Sequence, residues 1–224
     1  MPNCIVTGFD EIYYKKFGLF WLISLREIAK YQQDIVIFGK NLPLSIKNTI
    51  HKFDAKIIDC NFHDRNNILK NIKTIDFDKC VYYDADVWFQ DTIDELFDFE
   101  FEQINISQNM NFGFIATCKK NWTLFSDFSK LFDLFDDDCL ITFYTQFKEK
   151  FSFVDNTYNL IELFSLTEDE HKLKVNNKVA KVIHPSGAIK NQLGNSNLSF
   201  SERHKDLIAK FSEKKLPKLL LKKN

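Results

Sequence analysis

Asp84 and Asp86 stand one residue apart at the end of a short apolar run, Cys80-Val-Tyr-Tyr83. The run reads as a buried strand, and a strand directs residues two apart to the same side. Two carboxylates held that close repel, and both stay ionised at neutral pH when a cation lies between them. Hard divalent cations take such oxygen ligands and often keep positions open for phosphate oxygens. The plain alternative is an Asp-rich surface turn. A second apolar run, Val179 to Ile183, ends in His184-Pro-Ser-Gly187-Ala-Ile-Lys190. A histidine there is commonly structural, but its neighbours point elsewhere. Neutral imidazole ligates Mn2+ readily and Mg2+ rarely. A glycine lets backbone approach a phosphate closely, and a lysine supplies a point charge for it.

Strand–helix alternation must position these residues. Asn3 to Thr7 reads as a strand, with a turn at Gly8-Phe-Asp10. Phe17, Phe20, Trp21, Leu25, Ile28 and Ala29 then share one face of a helix. Asp34 to Phe38 is a second strand, and a helix capped by Ser45 follows to Phe53. Lys56 to Asp59 is a third strand, and Asp64 to Ile75 a helix carrying Arg65. Cys80 to Tyr83 is the fourth strand. Such alternation predicts a parallel, doubly wound sheet, with ligands at the carboxyl ends of its strands. After a short helix, Asp91 to Phe97, the rhythm changes. Gln103 to Ser107 and Phe112 to Thr117 read as strands. Asn121 caps a helix to Phe132, and Asp136 opens another to about Lys150. Ser152 to Val154 reads as a strand and Tyr158 to Phe164 as a short helix.

Composition sets outer limits. The 224 residues, 45% apolar and 27% charged, suit one domain with a large core. A net charge of -1 gives no field favouring nucleic acid or membrane. The five cysteines are scattered and form no C-x-x-C pair, so neither a zinc ribbon nor a disulfide framework is indicated. No signal peptide or membrane-spanning run is evident, and a cytoplasmic location is expected. From Ser201 on, eight Lys or Arg face three acids. Residues 201–224 read as a basic C-terminal helix or tail; the alternatives are a linker or weak contact with an anionic membrane surface.

Asp84-Ala-Asp86 after a strand, Asn111-Phe-Gly113 on a later one, and His184-Pro-Ser-Gly187-Ala-Ile-Lys190 near the end occur in that order. The set resembles retaining glycosyltransferases of the GT-A fold, especially glycosyltransferase family eight, with its glycogenin-like and galactosyltransferase members. The resemblance covers Asn3 to about Lys190. It implies a single α/β domain over residues 1–200, with a mixed, mostly parallel, Rossmann-like central sheet flanked by helices. It implies that Asp84, Asp86 and His184 bind Mn2+, with Mg2+ as the alternative, and that the metal holds the diphosphate of a nucleotide sugar. Gly187 and Lys190 would meet the phosphates, and Ala85 would lie against the donor. Arg65 would reach the phosphates or the sugar, and Asn111 and Gly113 would border the sugar. Thr7, Gly8 and Asp10 would hold the uridine. Two departures stand out. Asn191-Gln192 follow Lys190 where the family often has Pro-Trp. Asp137-Asp138-Cys139 stands where the family usually has Asp-Gln at a helix start. Asp138 or Asp137 is thus a candidate beside the sugar, although acidic residues also favour a helix start on their own account.

The activity so implied is transfer of a hexose from UDP-glucose or UDP-galactose to a glycan or other hydroxyl acceptor, with retention. One rival is a phosphatase of the haloacid dehalogenase type, which also ends an apolar strand in Asp-x-Asp. That strand is normally its first, and a small Thr or Val stands where this chain has Trp88. Another is a non-catalytic carbohydrate-binding module, against which the intact Asp84, Asp86, His184 and Lys190 argue.

Overall fold

The computed structural model describes residues 3–62, 64–129, 137–160, 167–169, 172–175 and 178–184. Gly187, Lys190 and the basic tail lie outside the described residues. The strands are β1 Asn3–Asp10, β2 Asp34–Lys40, β3 Ala55–Cys60, β4 Lys79–Tyr83, β5 Trp88–Phe89, β6 Ile104–Ser107, β7 Phe114–Cys118, β8 Phe151–Val154, β9 Thr167–Asp169, β10 Lys172–Val175, β11 Lys178–Val179 and β12 Val182–Ile183. Seven of them form the main sheet in the order β3-β2-β1-β4-β7-β6-β8. Pairing is parallel throughout except at β7, which runs antiparallel to both β4 and β6. The six residues between β6 and β7 are too few for a crossover helix, so that pair turns back as a hairpin.

Period-two alternation along the strands divides the core between the two faces. Ile5, Ile35, Ile37, Val81, Tyr83, Phe114 and Ala116 join one cluster, with Trp21, Leu22, Leu25, Ile46 and Ile50 from helices. Cys4, Val6, Val36, Phe38, Cys80, Tyr82, Ile104 and Ile115 join the other. There they meet Ile68 and Leu69 of α3 (Arg65–Asn71), Trp122 and Phe125 of α4 (Lys119–Ser129), and Phe143 of α5 (Asp137–Gln146). Phenylalanines, of which the chain has 24, pack closely here: Phe143 lies 4.6 Å from Phe125, 4.9 Å from Phe128 and 4.9 Å from Phe147, ring centre to ring centre.

Several boundaries differ from expectation. β1 continues through Gly8 to Asp10, so the expected turn is absent. Helix α1 (11–28) follows at once, capped by Asp10, whose Oδ1 accepts from the Tyr13 amide at 2.7 Å. Two stretches of α1, Tyr14–Gly18 and Ser24–Ile28, are wound as π-helix. Wider turns displace a 3.6-residue stripe, so Leu22 and Ile23 are buried while Phe17, Phe20 and Ile28 are only half-buried. Helix α2 (Leu44–His51) is entered from Pro43, with no side-chain cap, and Ser45 lies inside it. Asn121 is also inside its helix and is buried; its amide donates to Glu102 O and Thr117 Oγ1, both at 2.8 Å. Asp94–Asp98 is a 3-10 turn. The helix expected from Tyr158 is not formed over the described residues: Asn156–Tyr158 is a 3-10 turn, and Leu160 bridges to Ile183. The last apolar run divides, with Val182–Ile183 pairing β5 instead of continuing from β11. Among the described residues, no helix is long and apolar enough to cross a membrane.

Candidate metal centre

β4 is hydrogen-bonded to β1 on one side and β7 on the other, and Lys79–Tyr83 are buried but for Lys79 at the entry. The strand stops at Tyr83. Asp84 still bonds through its amide to Gly113 O at 2.9 Å, and Ala85-Asp86 form a turn. The two carboxylates therefore converge through a turn, not through strand alternation as expected. Asp86 is buried, at 7% exposure, and Asp84 is half-buried.

His184 reaches them from a distant part of the chain. Its amide donates to Leu160 O at 2.9 Å, and Leu160 donates to Val182 O at 3.0 Å. Its ring is buried, with Nε2 3.5 Å from Asp84 Oδ2 and 3.3 Å from Asp86 Oδ1. Nδ1 faces Asn159 Oδ1 at 3.0 Å. One ligand atom from each of Asp84, Asp86 and His184 lies within 4.8 Å of the others. A ring that gives its Nδ1 proton to Asn159 turns the Nε2 lone pair on two carboxylates. Three such ligand atoms brought together largely out of water favour a cation between them. Two carboxylates and an imidazole suit a divalent ion such as Mn2+, so the residues fit the metal expected of them.

Two further side chains trim the charge. Arg65, the first residue of α3, brings its guanidinium Nη1 to 3.9 Å from Asp84 Oδ2. The Tyr82 hydroxyl donates to Asp84 Oδ1 at 2.6 Å. Burial, and then the neighbouring Asp84, push the Tyr82 phenol well above its ordinary range, so it remains a donor.

Gly113 closes the floor. A Cβ there would lie 2.5 Å from His184 Nδ1 and 2.8 Å from Asn111 Oδ1, closer than real side chains come. Only glycine lets β7 start directly beneath the imidazole. Asn111 Oδ1 accepts from the Gly113 amide at 2.8 Å. The structure brings Arg65, Asp84, Asp86, Asn111, Gly113 and His184 to one place, with Ala85 between the two aspartates. Thr7 and Gly8 are buried in β1, whose register Val6↔Tyr82 carries its end alongside that of β4. The Asp10 carboxylate is occupied as a helix cap. Asp138 lies in the first turn of α5. Tyr82 and Asn159 were missed. Tyr82 had a signal, since residues two apart on a strand share a side; Asn159 had none.

Solved structures provide the comparison. A galactosyltransferase, LgtC, solved in complex with donor and acceptor sugar analogs, aligns over 92% of this chain and 95% of its own with TM-score 0.66 and 13% identity. The chain has the GT-A fold. GT-A architecture is also what it shares with WbbM, a bifunctional glycosyltransferase (TM-score 0.62, 15% identity, 90% of this chain and 51% of that one). GlyE of Streptococcus pneumoniae TIGR4, a glycosyltransferase, aligns over 72% of this chain and 47% of its own with TM-score 0.57 and 17% identity. The chain thus spans about half the length of GlyE and of WbbM and nearly all of LgtC. The sequence matches no protein-family model and no curated protein.

Proposed function

We propose that this chain is a divalent-metal-dependent retaining glycosyltransferase of the family-eight type. It would move a hexose from a nucleotide sugar, UDP-glucose or UDP-galactose, to a glycan or other hydroxyl acceptor. The observation that carries this reading is the convergence of Asp84, Asp86 and His184 within 4.8 Å, where β4 ends in a GT-A fold. Mn2+ held by these three residues would act as a Lewis acid, offsetting the charge that develops on the departing diphosphate.

The chain's own residues then have separable tasks. Arg65 contributes a fixed positive charge beside Asp84, oriented before any substrate arrives. Gly187 and Lys190 are assigned to the same phosphates, Ala85 to the donor, and Asn111 and Gly113 to the edge of the sugar. Thr7, Gly8 and Asp10 are assigned to the nucleoside. Asp138 is assigned to the sugar side, at the start of α5. No residue is given the role of nucleophile. In a same-face displacement the departing UDP takes the acceptor's proton, and the protein orients donor and acceptor.

The test is a panel of nucleotide sugars with Mn2+, Mg2+ or chelator, scored for thermal shift and for slow donor hydrolysis. One UDP-hexose should stabilise the protein and be hydrolysed only with metal. If no nucleotide sugar shifts the melt in any metal, the proposal fails. Phosphate release from simple phosphate esters would favour the phosphatase reading instead.

A further inference from the structure

Asn159 is fully buried, and every polar atom of its side chain is engaged. Its amide nitrogen donates to Ser107 Oγ at 3.1 Å, Asn111 Oδ1 at 3.1 Å and Asn111 O at 3.3 Å. Those three partners can accept, and they fix which end of the amide faces which way. The oxygen is left facing His184 Nδ1 at 3.0 Å. An amide oxygen only accepts, so Nδ1 is the protonated nitrogen and Nε2 is the one turned toward Asp84 and Asp86. The backbone of the same residue is fastened too. Asn159 O accepts from Asn109 Nδ2 at 2.9 Å, and its amide donates to Asn156 O at 3.1 Å. The next residue, Leu160, accepts from the His184 amide at 2.9 Å.

We propose that Asn159 is the positioning residue of this centre. It sets the tautomer and the orientation of His184, and through Asn111 it ties the metal side of the site to the side assigned to the sugar. The inference rests on the metal reading above. Partners that hold a ligating histidine by its other nitrogen typically matter 10–100-fold in metal affinity.

The test compares Asn159→Leu and Asn159→Asp by titrating Mn2+ and following the free-ion signal in electron paramagnetic resonance, with melting curves alongside. Both variants lose the donors to Ser107 and Asn111, so both should melt lower. Only the aspartate keeps an acceptor facing Nδ1. The leucine variant should bind Mn2+ about 10–100-fold more weakly than the wild type, and the aspartate variant within a few-fold of it. If Asn159→Leu does not fold, Asn159→Ala takes its place with the same expected loss. Equal Mn2+ affinity in wild type and Leu or Ala variants overturns the inference while leaving the metal centre standing. A parallel loss in the Asp and Leu variants, tracking their melting, also overturns it, because it shows a packing role only. A wild type that binds no Mn2+ sinks the metal reading itself, and with it this inference.

Discussion

Asp84 and Asp86 leave a strand bonded on both sides within a seven-stranded sheet and buried under both faces. His184 leaves a two-residue strand, β12, held by β5, one bridge at Leu160 and a group of amides. The aspartate arm is placed by apolar burial, which is large, non-directional and tolerant of small changes. The histidine arm is placed by buried hydrogen bonds, each of which costs the full desolvation penalty when one partner is lost. A cation site assembled from both should therefore be most sensitive, per atom removed, on the histidine side. Its absolute dependence on donors should be the same on either side.

The largest effect expected is from Asp86→Ala. It removes one of three donors, so Mn2+ affinity should fall by more than the roughly 100-fold upper range seen for partners of ligating residues. Without metal, the melting temperature should hold or rise, because a close like-charge pair, one member of it buried, has been relieved. Unchanged Mn2+ binding would remove Asp86 from the ligand set. A large fall in metal-free stability would show that the carboxylate is there for structure.

Gly113 is where the two arms touch. Its carbonyl accepts from the Asp84 amide, and a Cβ added to it would run into the His184 ring. Gly113→Ala forces the imidazole to move, at a cost of about 1–3 kcal/mol for overpacking, and should lower Mn2+ affinity at least tenfold. Full stability with wild-type Mn2+ affinity would mean that the arms are independent, and the comparison would lose its basis.

This difference also explains what the sequence made legible. The apolar run Cys80 to Tyr83 announces a strand by its length and its abrupt end at Asp84. The strand–helix alternation announces the sheet and its helical faces, and the short β6–β7 spacing already broke the parallel rhythm. His184 stands out in the sequence by its place after an apolar run and by Gly187 and Lys190, not by anything that holds it. Asn159 bonds residues 25, 48 and 52 positions away. Contacts at such separations leave no period in a sequence, and an Asn among many others carries no mark. The π-wound stretches of α1 lie against β1 and β5, and no spacing in the sequence marks them.

Tyr82→Phe probes the aspartate arm with the mildest of changes. The hydroxyl lost is a buried donor to a carboxylate, but Asp84 is half-buried and water can replace it in part. A loss of about 1 kcal/mol in stability is expected, with Mn2+ affinity down only several-fold. Measured beside Asn159→Leu, which also removes the donors to Ser107 and Asn111, it sharpens the contrast: each change removes one bond to a proposed metal ligand, with the larger metal defect expected on the histidine side. A Tyr82→Phe defect exceeding that of Asn159→Leu would reverse the ranking.

The smallest effect should come from the exposed outer end of the histidine arm. Asp155 opens the turn that leads to Asn159; its Oδ1 accepts from the Thr157 amide at 2.9 Å and its Oδ2 pairs with Lys178 at 2.9 Å. Partial burial acts to raise its pKa, but the bonds from Thr157 and Lys178 outweigh it and hold the carboxyl below its ordinary 3.8. A carboxyl with a lower pKa folded than unfolded stabilises fully above the unfolded value, and that contribution fades as pH falls through the folded one. The side chain is 42% exposed, so solvent screening keeps the pair under about 1 kcal/mol. Asp155→Asn keeps an acceptor for Thr157 and loses the charge opposite Lys178. At pH 7 it should melt no more than about 4 °C below wild type, with Mn2+ affinity within twofold. The gap should close as pH is lowered below 3.8, where the wild-type carboxyl is itself being neutralised. A gap that persists or widens at pH 3 would show that Asp155 acts through shape rather than charge, and that the histidine arm is packed, not pinned, at this end.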